Sequence, residues 1–197
     1  MVNPPLTSDQ SHDLRTTFRL TANLIATTWR GWLACVALLA LASCGSNAAA
    51  PQSKFLLIDG STTTLSALRG QVVLVNFWAT SCTSCVAEMP ELIETHQRYK
   101  DKGYETVAVA MSYDPATYVL NFANTRNLPF KVALDQNDTL AKAWGDVKLT
   151  PTTFIVNKRG EIVKSFVGPP NFESLHALIE DLLAAGLTVR NPIRSGA

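Results

Sequence analysis

Histidine and cysteine are scarce in this chain, 3 and 4 among 197 residues, and where they fall removes whole classes of function. Zinc takes three or four ligands, normally from a second C-x-x-C or a His pair. Cys82 and Cys85 form one C-x-x-C without either: His96 and His176 stand isolated on predicted helices, His96 expected at the solvent face, and His12 lies near the start. No closed metal site is expected. A disulfide framework is missing as well, because Cys35 falls inside an apolar run and Cys44 ends it. A bridge between Cys82 and Cys85 closes too short a loop to restrict the unfolded chain much.

An excess of either charge is missing as well. The formal net charge is +1, and from Cys44 onward 14 Lys+Arg face 14 Asp+Glu, so there is no basic excess for nucleic acid. No internal repeat is present. No apolar run reaches the roughly 20 residues that span a bilayer. The longest, "GWLACVALLALASC" from Gly31 to Cys44, follows Arg15, Arg19 and Arg30 and has the order of a signal peptide. Its end, Leu41-Ala42-Ser43-Cys44, resembles a bacterial lipobox, which implies lipidation of Cys44 and a lipid-anchored protein on the exported, periplasmic side; the alternative is an apolar cysteine at a helix end. The resulting division is a lipoprotein-type signal peptide over 1–43, a flexible tether over 44–53 ("CGSNAAAPQS"), a folded domain over 54–187 and a flexible tail over 188–197.

What remains is a frame of alternating strands and helices. "FLLI" from Phe55 is a short strand, followed by a polar turn segment, "STTTLSALRGQ", in which Leu65 and Leu68 pack down. "VVLVNFWA" (Val72 to Ala79) is β-branched and almost continuously apolar, as in a central strand buried on both faces. The segment from Ser81 to Gly103 reads as a helix with Val86, Met89, Leu92 and Ile93 on one side and Pro90 as a kink. "YETVAVAMS" is a second central strand, "DPATYVLNFANTRN" a helix with Pro115 in its first turn, and "FKVALD" a strand before the small helix "NDTLAKAWG". "TTFIV", the turn "NKRG" and "EIVKSFVG" form an antiparallel hairpin before the amphipathic helix "FESLHALIEDLLAAG". This order predicts an α/β fold: a mixed central sheet with helices on both faces, a three-layer sandwich.

"VVLVNFWATSCTSCVAEMPEL", "WGDVKLTPTTFIVNKRGEIVKSFVG" and "LSALRGQ" together resemble the thioredoxin superfamily, and within it the exported, membrane-anchored thiol-disulfide oxidoreductases of the TlpA/ResA type, over about Phe55 to Ala185. The resemblance implies a thioredoxin-like fold, catalysis by Cys82 and Cys85, and a cis Thr150-Pro151 bond beside them that leaves the Thr150 backbone open to an extended substrate. Thr150, Pro151 and Trp78 are the candidate substrate-binding residues, Trp78 being otherwise a packing residue that flanks the site. No cofactor is implied beyond the dithiol. Cys82 falls at the first turn of a helix, where free N–H groups and the dipole favour a thiolate, and Cys85 one turn deeper, so Cys82 attacks and Cys85 resolves.

Several positions depart from the family pattern. Ser81 stands where relatives often carry Trp, and Thr83-Ser84 where many carry Gly-Pro or Glu-Pro; these hydroxyls donate to sulfur or only cap the helix. Asn76 occupies the place of thioredoxin's buried Asp, leaving Glu88 the nearest carboxylate to Cys85, either an acid-base group or an ordinary helix charge. Ala79, three before Cys82, is not the Thr of a peroxidase, and a Sco-type copper-delivery protein would need a C-x-x-x-C and a distant His. The family tendency favours a reductase of exported protein disulfides, re-reduced by a membrane thiol-disulfide donor. Apocytochrome c and copper-site assembly proteins are its candidate clients; the alternatives are a dithiol oxidase or, in a different class, a copper-binding and delivery protein for cytochrome oxidase assembly.

Overall fold

The computed structural model describes residues 47–185; the expected signal peptide, Cys35, Cys44 and the C-terminal tail lie outside them. Eight strands among these residues form one sheet: β1 (Ala48–Ala49), β2 (Lys54–Leu57), β3 (Thr62–Thr64), β4 (Val72–Trp78), β5 (Tyr104–Ala110), β6 (Lys131–Leu134), β7 (Thr152–Val156) and β8 (Glu161–Val167). Their spatial order is β1-β8-β7-β4-β5-β6-β2-β3. The helices are α1 (Thr83–Tyr99), α2 (Ala116–Arg126), α3 (Thr139–Ala143) and α4 (Phe172–Ala185).

β4 is buried at all seven positions, and its side chains divide by the two-residue period of a strand. Val72, Leu74 and Trp78 join one core with Met89 and Leu92 of α1, Val119 of α2, and Leu175 and Ile179 of α4. Val73, Val75 and Phe77 join the other, with Leu65, Leu68, Leu140 of α3 and Trp144. The expected sandwich is therefore present, with the longer helices on one face and the short elements on the other. α1 continues through Pro90 and is followed by a 3-10 turn over Lys100–Lys102 that ends at Gly103, whose φ of 87° suits a residue without a Cβ.

Strand direction decides where the chemistry sits. β4 pairs parallel with β5, with Trp78 opposite Ala110, and antiparallel with β7, with Phe77 opposite Thr152. The exit of β4, the exit of β5 and the entry of β7 thus share one edge of the molecule, the position where ligands meet open α/β sheets.

Two expectations need correction. Residues 47–53 of the expected tether belong in part to the sheet: Ala48 and Ala49 pair with Ile162 and Glu161, Ala50 N–H donates to Gly160 O at 3.0 Å, and Ser53 Oγ accepts from Trp144 Nε1 at 2.8 Å. The edge of β8 would otherwise carry open backbone groups, and small residues cover it without steric cost. The segment read as a polar turn also contains β3, paired with β2 after a turn in which Asp59 Oδ1 accepts from Ser61 N and Oγ at 2.8 and 2.6 Å.

Candidate active site

The chain leaves β4 at Trp78 and makes a turn closed by Cys82 N–H donating to Ala79 O at 3.1 Å. Cys82 then serves as N-cap of α1: its backbone is extended (φ −89°, ψ 105°) and its sulfur accepts from Cys85 N–H at 3.2 Å. This is the cap position normally taken by an oxygen, so the sulfur lies where the orphan amides of the first turn converge. Cys82 and Cys85 form a disulfide, with Cα atoms 5.2 Å apart. Cys82 is half-buried, whereas Cys85 is fully buried in the core. Of the two hydroxyls between them, Ser84 Oγ lies 3.4 Å from Cys82 Sγ.

Thr150 approaches from the opposite side, 68 positions on in the chain. Its carbonyl oxygen lies 3.5 Å from Cys82 Sγ, and the Thr150-Pro151 bond is cis. Thr150 is partly exposed and Pro151 buried. Around this point stand the exposed apolar side chains of Tyr113, Leu149 and Val167; Tyr113 Oη is 3.4 Å from Thr150 Oγ1, and Val167 pairs with Thr152.

Below the dithiol is a buried polar group that sequence reading grasped only in part. Glu88 lies one turn beyond Cys85 on the same side of α1 and is 4% exposed. Its Oε1 accepts from Asn76 Nδ2 at 2.9 Å, and the same amide donates to Thr153 Oγ1 at 3.0 Å. Glu88 Oε2 and Asn76 Oδ1 are buried with no hydrogen-bond partner among the described residues. Burial pushes the Glu88 carboxyl up to about 7, only partly offset by the Asn76 hydrogen bond. The reading of Glu88 as an ordinary helix charge does not survive its burial. Thr153 was missed; the clue was its place two residues past Pro151, directly before the apolar run Phe154-Ile155-Val156.

Trp78 is fully buried, its ring packed on Phe122 with centroids 5.1 Å apart, so here it presents no surface to a substrate. His96, expected at the solvent face, is 5% exposed, between the rings of Tyr104 and Phe130. It continues the inward stripe Cys85, Met89, Leu92, His96, Tyr99, a 3.6-residue period visible in the sequence had a polar residue been allowed on it. Burial lowers the His96 pKa, opposed by Glu105, whose Oε1 is 3.7 Å from Nδ1 and whose carboxylate also pairs with Lys131.

A half-exposed sulfur at a helix start, a buried partner one turn on, a cis-proline loop across from it and a carboxyl titrating near neutrality together suit dithiol-disulfide exchange. Residues 45–179 match the Redoxin family. The chain belongs to that family. As a Redoxin protein it is similar to the thiol-disulfide oxidoreductase ResA of Bacillus anthracis, 35% identical over 126 residues covering 64% of this chain and 71% of the relative. ResA of Geobacillus kaustophilus is 35% identical over 130 residues, covering 65% and 74%. A thiol:disulfide interchange protein of the thioredoxin family from Chlorobium tepidum shares the fold, with a TM-score of 0.66 at 22% identity over 72% of this chain and 99% of that one. This Redoxin protein is a thiol-disulfide oxidoreductase of the ResA, thioredoxin-like type.

Proposed function

We propose that the protein is a reductase of disulfides in exported proteins, with Cys82 as nucleophile, Cys85 as resolving thiol and Glu88 as proton acceptor. The observation that supports this most is the division between the sulfurs: Cys82 is half-buried and faces Thr150, while Cys85 is fully buried one helical turn before the buried Glu88. In the reduced protein the Cys82 thiolate attacks a substrate S–S bond, forming a mixed disulfide and releasing one substrate thiolate, which takes up a proton. Cys85 then gives its proton to the Glu88 carboxylate and attacks Cys82 Sγ. The Cys82–substrate bond breaks, the second substrate sulfur leaves as thiolate and is protonated, and the Cys82–Cys85 disulfide remains. The substrate gains two electrons from the dithiol, and a membrane thiol-disulfide donor, itself oxidised, supplies two more to reduce the Cys82–Cys85 disulfide.

The Thr150 backbone and the apolar rim of Tyr113, Leu149 and Val167 suit an extended polypeptide, which can pair along the backbone and bury apolar side chains. Cys44 is the proposed lipid attachment, and apocytochrome c and copper-site assembly proteins are the candidate clients. Trp78 acts through packing in this reading.

One feature favours the opposite direction. Cys85 N–H and Ser84 Oγ both approach Cys82 Sγ, and stabilising its thiolate makes a dithiol more oxidising. Equilibration of the purified protein with glutathione buffers separates the readings. A reductase is expected to have a potential more negative than about −180 mV, that of protein disulfide isomerase; a value near about −120 mV, that of DsbA, would make the protein an oxidase.

A further inference from the structure

The segment after β5, Met111 to Pro115, touches both sides of the dithiol although it contributes no reacting atom. Asp114 is 8% exposed, and both of its oxygens are taken by one residue: Thr80 N–H donates to Oδ2 at 2.6 Å and Thr80 Oγ1 donates to Oδ1 at 2.7 Å. Thr80 is the second residue of the turn closed between Ala79 and Cys82, so the carboxylate grips the turn from which Cys82 projects. The loop is itself fixed. Met111 N–H donates to Trp78 O and Asp114 N–H to Met111 O, each at 3.0 Å, and Pro115 holds the preceding residue out of helical conformation. On its other side Tyr113 Oη meets Thr150 Oγ1 at 3.4 Å.

We infer that Asp114 is a positioning residue for the attacking sulfur: through Thr80 it fixes the Cys82 turn, and through the shared loop with Tyr113 it sets that turn against Thr150. The inference rests on the proposed role of Cys82. Attack on a peptide disulfide requires the sulfur and the Thr150 backbone to be correctly spaced at once, because the substrate must engage both. Attack on a small freely diffusing electrophile requires the sulfur alone. Displacing a reacting group by about 1 Å can cost on the order of 100-fold in rate. Loss of Asp114 should therefore slow the first reaction far more than the second, whereas general loss of structure would not separate them in that way.

The test uses the reduced full chain and two probes, a synthetic peptide with an intramolecular disulfide and iodoacetamide, each followed at Cys82 across a pH series. Asp114→Ala is expected to slow peptide exchange about tenfold or more while alkylation changes less than about threefold. Asp114→Asn should restore most of the peptide rate, since an amide can accept from Thr80 N–H and donate to a rotated Thr80 hydroxyl. If Asp114→Ala does not fold, Thr80→Val, which keeps the backbone N–H and loses the hydroxyl, should shift the ratio of the two rates in the same direction, and Thr80→Ser should not. An unchanged ratio in Asp114→Ala or, where that variant does not fold, in Thr80→Val overturns the inference. So does an Asp114→Asn protein as impaired as Asp114→Ala, which would assign the effect to charge. A wild-type chain inert toward the peptide would instead overturn the polypeptide-disulfide reading beneath it.

Discussion

Asn76, near the end of the central strand, donates a 2.9 Å hydrogen bond to Glu88 in the floor of the redox site. The amide brings no charge into that floor, so the carboxyl is free to change its own. Had the strand residue been a carboxylate, two buried acids would have competed for one proton. With burial raising Glu88 to about 7, near neutrality the group divides between a form that accepts a proton and one that gives it back.

Glu88→Gln keeps the shape and removes the titration. The resolving step, followed by release of the second thiol from a preformed mixed disulfide on Cys82, is expected to slow about 100-fold, and its pH profile to lose the inflection near 7. The first attack by Cys82 should change little. Persistence of the inflection in the variant would remove Glu88 from the proton path.

The two sulfurs should differ in reactivity as they differ in burial. In the reduced protein, alkylation below pH 7 should label Cys82 at least about tenfold faster than Cys85, since the half-buried sulfur is the one whose thiolate the helix start supports and the other is fully buried. Cys85→Ser should accumulate mixed disulfides with exported proteins, seen as reducible adducts by mass spectrometry. Equal labelling would contradict the assignment of the nucleophile.

Stability should respond to pH with two opposite signs. The folded Glu88 pKa lies above its ordinary value of 4.5, so its contribution is fully present below 4.5 and is lost as pH rises through about 7. The folded His96 pKa lies below its ordinary value of 6.5, so the unfolded chain binds the extra proton and stability falls as pH drops below 6.5. Each slope is at most about 1.36 kcal/mol per pH unit. Urea midpoints from pH 4 to 8 should show the first slope vanish in Glu88→Gln and the second in His96→Gln.

Trp78 should matter as packing. Trp78→Ala is expected to destabilise the fold by about 3–5 kcal/mol, measured by denaturant unfolding, while Trp78→Phe retains most peptide-reducing activity. A large rise in KM for peptide disulfide in a stable Trp78→Phe protein would restore it as a substrate contact.

Processing at Cys44 is checked on the membrane fraction. Mass spectrometry is expected to find an acylated N-terminal Cys44, and Cys44→Ala to abolish that species. A mature chain that still carries residues before Cys44 would point to an uncleaved anchor.

The parts of the protein whose information is local could be read directly from its residues. The β-branched run Val72–Trp78 could only be a buried central strand, the cysteines fell at the start of the following helix, and the family-like segment around Thr150-Pro151 marked the second wall of the site. Which polar residues those segments trap was settled by their packing in three dimensions. Periodicity shows which face of a helix is buried, but not that His96 is tolerated on it beside Glu105, nor that Glu88 loses its solvent and meets Asn76 and Thr153. Nor does it show that Asp114, 34 positions after Thr80, closes on the turn before Cys82, or that Ala48 and Ala49 complete a sheet edge. These outcomes depend on strand order and register, set by the whole core at once; a shift of one residue in β4 or β7 would turn Asn76 or Thr153 to the other face and leave Glu88 without them.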